Sequence, residues 1–236
     1  MESSIRANIA RILENIGEKA MLSGRKATDI KLMAVTKTVA DDRIMEALNA
    51  GISLIGENYV QEAARKKDML QQAHSQAQWH MIGRLQTNKA KYAVKLFDMI
   101  HSLDRMDLAL ELDKRSKAIG RKTKVLIEVN TSGEATKSGV PLFKAMDLIK
   151  AVAAMENLSI QGLMTMPPWF ADPEKARPYF AALRELKERI ASANIPRVRM
   201  KELSMGMTDD YLVAIEEGAT IVRIGREIFG ERTAKN

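Results

Sequence analysis

The sequence predicts a (β/α)8 barrel, an α/β fold, with one extra N-terminal helix. Short apolar runs typical of buried strands alternate with segments whose apolar residues recur at helical spacing. This alternation occurs eight times, which suits a closed barrel because closure leaves no unpaired sheet edge. No linker rich in Pro, Gly or Ser divides the chain, so we expect a single domain over residues 1–236.

The N-terminal helix is predicted over residues 3–22, where apolar residues have helical periodicity and Ser3 or Ser4 can cap the start. We expect it to cover the bottom of the barrel or to pack beside the last helix. The strands are predicted at 31–37, 53–58, 78–83, 99–103, 124–130, 159–165, 200–204 and 220–225. The helices between them are predicted at 40–50, 59–73, 88–96, 105–119, 141–154, 173–193 and 208–217.

Local residues justify these elements. The first strand contains the apolar run Leu32–Val35. Gly51 and Gly120 each follow a predicted helix, and glycine is common just past a helix end. The residues after 225 are predicted to form only a short tail.

The composition is that of an ordinary soluble protein, with 46% hydrophobic and 28% charged residues. The absence of cysteine excludes disulfides and thiolate metal sites. No apolar run approaches the roughly 18 residues of a membrane span, and the N-terminus lacks the apolar segment of a signal peptide. We therefore expect a cytoplasmic protein with no membrane partner.

The formal net charge of +7 at pH 7 raises the question of a polyanionic partner. The cations, Lys66 and Lys67 among them, are scattered over predicted helices and loops, without a nucleic-acid motif or interleaved aromatic residues. They are interpreted mainly as solvated helix faces, so no nucleic acid is expected as a partner. A basic RNA-binding module is the alternative that the charge leaves open.

A lysine follows the apolar run of the first strand. Lys37 stands at the carboxyl end of that strand, which is where (β/α)8 barrels place their chemistry. A partly desolvated lysine amine has a lowered pKa and can attack an aldehyde to form a Schiff base. The alternative is that Lys37 only caps the strand in solvent.

Polar and small residues follow other predicted strands, and a barrel would bring them together. Asn58 follows the second strand, Ser204 and Gly206 follow the seventh, and Gly225 and Arg226 follow the eighth. Barrels often bind phosphate in the loops after strands seven and eight, where glycine lets the backbone approach a ligand. The alternative is that both glycines only form turns.

Arg223 lies within the eighth strand, and an arginine that faces a barrel interior is costly unless it is paired. It either pairs with a core carboxylate such as Glu128 or Glu202, or faces a heteroaromatic ring or an anion. His80 and His101 are equally consistent with core positions and with catalysis. The sequence contains no metal-binding spacing, P-loop, dinucleotide fingerprint or nucleophile elbow.

Ten ordered motifs cover most of the chain: Ala34–Thr38 (AVTKT), Gly56–Glu62 (GENYVQE), Trp79–Lys89 (WHMIGRLQTNK), His101–Arg105 (HSLDR), Val129–Glu134 (VNTSGE), Lys137–Gly139 (KSG), Gly162–Thr165 (GLMT), Leu203–Met207 (LSMGM), Val222–Gly225 (VRIG) and Ile228–Gly230 (IFG). Together they resemble the pyridoxal phosphate homeostasis proteins, the YggS/PROSC family. The resemblance implies a fold-type III barrel like the N-terminal domain of alanine racemase. It also implies pyridoxal 5′-phosphate (PLP) bound as a Schiff base on Lys37.

The resemblance implies roles for the other candidate residues. Arg223 would face the pyridine nitrogen, and Asn58 would lie near the ring. Ser204, with the backbone around Gly225 and Arg226, would hold the phosphate. Many family members have a small hydroxyl residue where this chain has arginine at 226. Lys137 matches a family lysine, and a second aldehyde-binding role there is a hypothesis.

We expect a carrier or buffer of PLP that takes part in vitamin B6 homeostasis without catalytic turnover. A permanently cationic arginine at the ring nitrogen disfavours its protonation and weakens the electron sink. The chain ends soon after the last strand, so no second domain is expected to supply a base. PLP and apo PLP-dependent enzymes are the expected partners of a monomer. The alternatives are a PLP-dependent amino-acid racemase or lyase and a class I aldolase.

Overall fold

The computed structural model describes residues 4–70, 74–134 and 136–230. Over these residues the strands are β1 Lys31–Val35, β2 Leu54–Glu57, β3 Gln78–Met81, β4 Met99–Leu103, β5 Thr123–Asn130, β6 Val140–Pro141, β7 Leu158–Met164, β8 Val198–Ser204 and β9 Ile221–Ile224. The α-helices are α1 Ile5–Leu22, α2 Asp41–Asn49, α3 Val60–Leu70, α4 Ala90–Leu96, α5 Met106–Ala118, α6 Ala145–Ala153, α7 Arg177–Ser192, α8 Tyr211–Glu216 and α9 Arg226–Phe229.

Eight of the strands form a closed parallel barrel, which confirms the predicted fold. The order around the ring is β1, β2, β3, β4, β5, β7, β8 and β9, and β9 pairs with β1 to close it. In that closing pair Lys31 lies opposite Ile221 and Ala34 lies opposite Ile224. A closed ring of parallel strands brings all of their carboxyl ends to one rim.

One short strand and one short α-helix were not predicted. β6 has two residues and pairs with Val129 and Asn130 at the end of β5, where a helix was expected to begin. α9 is a single turn within the predicted tail. Neither element is long enough to show an apolar period, which is why the pattern of the sequence missed both. The last part of the predicted helix 59–73, residues 71–73, lies outside the residues that the structure describes.

The first strand is shorter than predicted, and this places Lys37 beyond it. β1 ends at Val35, and the backbone N–H of Thr36 still donates to the carbonyl of Gly56 at 3.1 Å. The chain then turns sharply, because Thr38 has φ 63°, in the left-handed region. Lys37 therefore lies in the turn at the rim of the barrel, not within the strand.

The N-terminal helix packs beside the last helices, the second of the two expected positions. Ser4 caps α1 by accepting a hydrogen bond from the backbone N–H of Ala7 at 3.2 Å, whereas Ser3 lies outside the described residues. The amide of Asn8 donates to the carbonyl of Ile228, and Lys19 forms an ion pair with Glu216 at 2.6 Å. These contacts fix α1 against α8 and α9 on the outside of the barrel.

The barrel has an apolar interior floor and a polar upper part. Residues on the outer strand faces pack against the surrounding helices and form the main core. Inside the ring, one small apolar cluster contains Met33, Leu54 and Ile221, and another contains Met99, Leu126 and Met164. The buried polar side chains of the interior include His80, His101, Glu128, Ser204 and Arg223. The chemistry of the molecule is therefore concentrated inside one end of the barrel.

Within residues 4–70, 74–134 and 136–230, no helix is both long enough and apolar enough to cross a bilayer. The same ranges contain no group of three His, Asp or Glu side chains placed to hold a metal ion.

Candidate functional site

A cavity of about 430 Å³ opens at the carboxyl ends of the barrel strands. Five of the six predicted site residues line it: Lys37, Asn58, Arg223, Gly225 and Arg226. They come from the turns after β1 and β2, from β9, and from the start of α9. The barrel thus brings together residues from both ends of the chain, as its closure requires.

The turn that carries Lys37 is held from both sides. The Lys37 side chain is half-buried and lines the cavity. The backbone N–H of Thr38 donates to Glu62 Oε1 at 2.7 Å, and Thr36 Oγ1 donates to Glu57 Oε1 at 2.6 Å. Carboxylates from β2 and α3 therefore hold the Thr36 side chain and the Thr38 backbone, on either side of the lysine.

Lys66 joins these two carboxylates, and its interpretation as a solvated helix residue was wrong. Its side chain is fully buried, and Nζ donates to the carbonyl of Thr36 at 2.6 Å, to Glu57 at 2.8 Å and to Glu62 at 2.7 Å. Burial raises the pKa of Glu57, while its hydrogen bonds from Lys66 and Thr36 act in the opposite direction. The three acceptors compensate the buried ammonium.

The sequence carried a weak signal for this network. Glu62 and Lys66 are four residues apart on α3, the spacing at which side chains meet on a helix. Glu57 stands in the motif Gly56–Glu62. Neither observation shows which face of α3 is turned towards β1, and that orientation decides whether the pair is buried.

Arg223 is buried inside the barrel and bound by neutral groups. Its side chain donates to Ser204 Oγ at 2.8 Å and to the carbonyl of Thr165 at 2.9 Å. Burial lowers the pKa of Arg223 to about 10, so the guanidinium remains charged at neutral pH. It forms no ion pair with any residue that the structure describes, and Glu202 binds Lys31 instead. The cavity wall therefore carries a buried positive charge, which favours the interpretation that Arg223 faces an anion or a ring.

Ser204 lies beneath Arg223, away from the cavity surface. Its fully buried hydroxyl accepts the hydrogen bond from Arg223 and lies 3.0 Å from His101 Nδ1. His101 Nε2 is in turn 2.9 Å from His80 Nδ1. In this structure the hydroxyl holds Arg223. The implied contact between the Ser204 hydroxyl and a phosphate stays a prediction.

His80 and His101 occupy core positions, one of the two interpretations that the sequence left open. Burial lowers the pKa of His80 to about 4 and also lowers the pKa of His101. Both rings are therefore neutral at pH 7 and extend the hydrogen-bonded chain below Arg223.

Glu128 lines the cavity as well, although its only predicted role was to pair with Arg223. Its side chain is almost fully buried. Burial, followed by the negative charge of Asp104, raises the pKa of Glu128 to about 7, against the opposing effects of Arg223 and Arg84. A carboxyl group with such a pKa can give or take a proton at neutral pH.

The loops after the last two strands form the opposite wall. Gly225 lines the cavity, and a Cβ atom there would lie 3.2 Å from the carbonyl oxygen of Val35, a tight contact. Arg226 forms an ion pair with Asp209 at 2.5 Å. Gly206 does not line the cavity; its φ of 90° and its close packing against α8 agree with a turn glycine.

Asn58 and Lys137 differ in their relation to the cavity. Asn58 lines it, and a Cβ atom at Gly83 would lie 2.5 Å from the Asn58 carbonyl oxygen, so a glycine lets the chain after β3 pass close by. Lys137 is not among the lining residues, although its neighbour Ser138 is. The second aldehyde-binding role of Lys137 stays a prediction.

Comparisons with known proteins agree with this geometry. The family model described as the alanine racemase N-terminal domain matches residues 4–233. The pyridoxal phosphate homeostasis protein of Aquifex aeolicus is 45% identical over 95% of this chain and 96% of its own length, and that of Vibrio cholerae is 40% identical over 97% of each. The structure of PipY from Synechococcus elongatus with PLP bound is 33% identical with a TM-score of 0.80, covering 91% of this chain and 100% of PipY.

These matches extend over nearly the whole length of each relative. They include the barrel, the turn of Lys37 and the loops after the last two strands, which are the parts that form the cavity. The chain belongs to the family of the pyridoxal phosphate homeostasis proteins, among the proteins that share the N-terminal domain of alanine racemase.

Proposed function

We propose that this chain binds PLP covalently through Lys37 and serves PLP homeostasis as a carrier or buffer without catalytic turnover. The observation that carries the proposal is the presence of Lys37 and Arg223 on the walls of one cavity at the strand ends. The names of the relatives and the PLP bound to PipY support it.

The side chains of the cavity fit the three chemical parts of PLP. The bound cofactor supplies an aldehyde that condenses with an amine, and Lys37 offers that amine. Arg223 would face the ring nitrogen, with Asn58 beside the ring. Gly225 and Arg226 would hold the phosphate through backbone N–H groups and the guanidinium.

The arrangement around Arg223 supports binding without turnover. A guanidinium with a pKa of about 10 stays charged, and its N–H groups reach neutral acceptors below it. A fixed cation beside the ring nitrogen opposes protonation of that nitrogen, and an unprotonated ring withdraws electrons less strongly.

A PLP-dependent racemase or lyase is the second candidate, and Glu128 is the observation that favours it. A carboxyl group with a pKa of about 7 inside the cavity could transfer a proton to or from a bound amino acid. The test is to incubate the PLP-loaded protein with L- and D-amino acids and to follow chirality. Turnover that disappears in Glu128→Gln would establish an enzyme, whereas no turnover in the loaded wild type supports the carrier.

The main experiment loads the apoprotein with PLP and records the visible spectrum. We expect an absorbance band that borohydride removes and a reduced adduct of PLP mass on the peptide containing Lys37. Lys37→Arg is the matched control, because it keeps the positive charge but cannot condense with the aldehyde. A stable adduct on another lysine would overturn the proposal. If a sugar phosphate is added in place of PLP and alone forms the reduced adduct on Lys37, the protein is a class I aldolase.

We further propose that the protein acts in the cytoplasm as a monomer and that apo PLP-dependent enzymes receive its cofactor. Handover is measured by mixing loaded protein with an apoenzyme and following recovery of that enzyme's activity. A PLP phosphatase is then added to the mixture. Recovery of activity that continues indicates direct transfer, whereas recovery that stops indicates release of PLP into solution.

A further inference from the structure

A second cavity, of about 570 Å³, adjoins the cavity of Lys37. It lies between the turn after β2, the segment after β3 and the start of α5. Asn58 and Arg84 line both cavities, so the two share a wall. Its volume is in the range of cavities that bind small molecules.

The lining of this second cavity is cationic. Arg84, Lys89 and Arg105 line it, and no Asp or Glu does so among the residues that the structure describes. Arg105 is compensated, because it forms ion pairs with Asp104 at 2.8 Å and Asp107 at 3.1 Å.

Arg84 and Lys89 supply the excess charge. In the described part of the chain, neither side chain has an ion-pair partner within 4 Å. Lys89 is half-buried, so its charge is less well screened than that of an exposed lysine. Two cations without a direct ion pair on one concave surface create a positive potential that attracts a small anion, although Arg84 also interacts with the more distant Glu128 carboxyl.

The remaining lining groups suit an oxyanion. The amides of Asn58, Gln61 and Gln86 can each donate a hydrogen bond into the cavity. A guanidinium binds carboxylate or phosphate through two parallel hydrogen bonds, and an ammonium adds a point charge. Tyr59, which is 60% exposed, provides an aromatic wall for the organic part of a ligand.

We propose that this cavity is a second binding site, distinct from Lys37, for a small molecule that carries a carboxylate or phosphate group. The proposal does not depend on a cofactor at Lys37.

The test titrates inorganic phosphate and, separately, succinate into PLP-loaded protein by calorimetry at constant ionic strength. Loading first keeps the phosphate position beside Lys37 occupied. The variants are Arg84→Gln and Lys89→Gln, and the matched control is Lys91→Gln, an exposed residue of α4 that changes the charge equally but does not line the cavity. Thermal unfolding verifies that all four proteins are folded.

We expect at least one of the two anions to bind, with about tenfold weaker affinity in each lining variant and no change in the control. The anion that binds identifies the ligand as a carboxylate or a phosphate. Absence of binding by both anions, or equal binding in all four proteins, would overturn the proposal. The visible spectrum of the same samples reports PLP loading independently, so a failure at Lys37 is distinguished from a failure at this second site.

Discussion

The guanidinium of Arg223 is bound by the hydroxyl of Ser204 and the carbonyl of Thr165. A buried cation is costly unless its N–H groups have acceptors. A carboxylate acceptor would meet that requirement but would also neutralise the charge. Neutral acceptors satisfy the N–H groups and leave the positive charge available to a ligand in the cavity.

Replacement of Ser204 tests this arrangement at the level of one atom. Ser204→Ala removes the acceptor of Arg223 and the partner of His101, which leaves buried polar groups unsatisfied. We expect a loss of about 1–3 kcal/mol in the free energy of unfolding, measured by urea denaturation. Ser102→Ala is the control, because the Ser102 hydroxyl is buried without a hydrogen-bond partner among the described residues. Equal losses in the two variants would contradict the supporting role of Ser204.

Glu128 gives a pH-dependent prediction. Its carboxyl group has a pKa of about 7 in the folded protein and about 4.5 when unfolded. Between these values the unfolded chain releases the proton while the folded protein keeps it, so the wild type loses stability as pH rises. The full effect corresponds to about 3 kcal/mol. We expect Glu128→Gln apoprotein to gain about 2–3 kcal/mol over wild type on going from pH 5 to pH 8. A difference that is constant with pH would contradict the raised pKa.

At the scale of elements, the end of β1 is tied to β2 and α3 through one buried lysine. Lys66 reaches from α3 to the carbonyl of Thr36, immediately before Lys37, and to Glu57 at the end of β2. A turn held in this way keeps the Lys37 amine at one place on the cavity wall. Precise placement of a reactive group depends on such support from neighbouring elements.

Lys66→Met tests the contribution of this contact between elements. The variant leaves Glu57 buried without its cation, and breaking a buried ion pair from one side costs about 3–5 kcal/mol. We expect a loss of that size in urea denaturation. The double variant Glu57→Gln/Lys66→Met removes both charges and should lose less than Lys66→Met alone. Additive losses in the double variant would show that the two charges are not coupled.

At the scale of the whole molecule, the alternation of strands and helices could be predicted from the sequence. Within each element, apolar residues recur over several residues at the spacing typical of a strand or of a helix. Closure of the ring then followed from the number of units. The position of Lys37 at the rim could be predicted for the same reason. The burial of Lys66 could not, because it depends on how α3 is rotated against β1, and no short stretch of sequence encodes that rotation.

The direction in which the Ser204 side chain points could not be predicted, for a related reason. Its motif places it at the end of β8, but only the closed barrel sets whether the hydroxyl points up to the cavity or across to His101 on β4. Hydrogen bonds that cross the barrel join strands that are not neighbours in the sheet. Such contacts appear only once the ring is assembled.

Because the cavity takes its walls from β1, β5, β7 and β9 and from loops at the same rim, a ligand bound there contacts half of the strands in the ring. Such a ligand should stabilise the whole fold and not one loop. At a PLP concentration 100 times the dissociation constant, mass action predicts about 2.7 kcal/mol of added stability. We expect the free energy of global unfolding of the wild type to rise by this amount when PLP is added. Lys37→Arg cannot form the covalent bond to PLP, so it should lack the part of this rise that comes from that bond. Hydrogen exchange gives the decisive measurement: the slowest amides of β1 and β9 should gain protection with PLP, whereas protection confined to the loops would show that the barrel opens independently of its ligand.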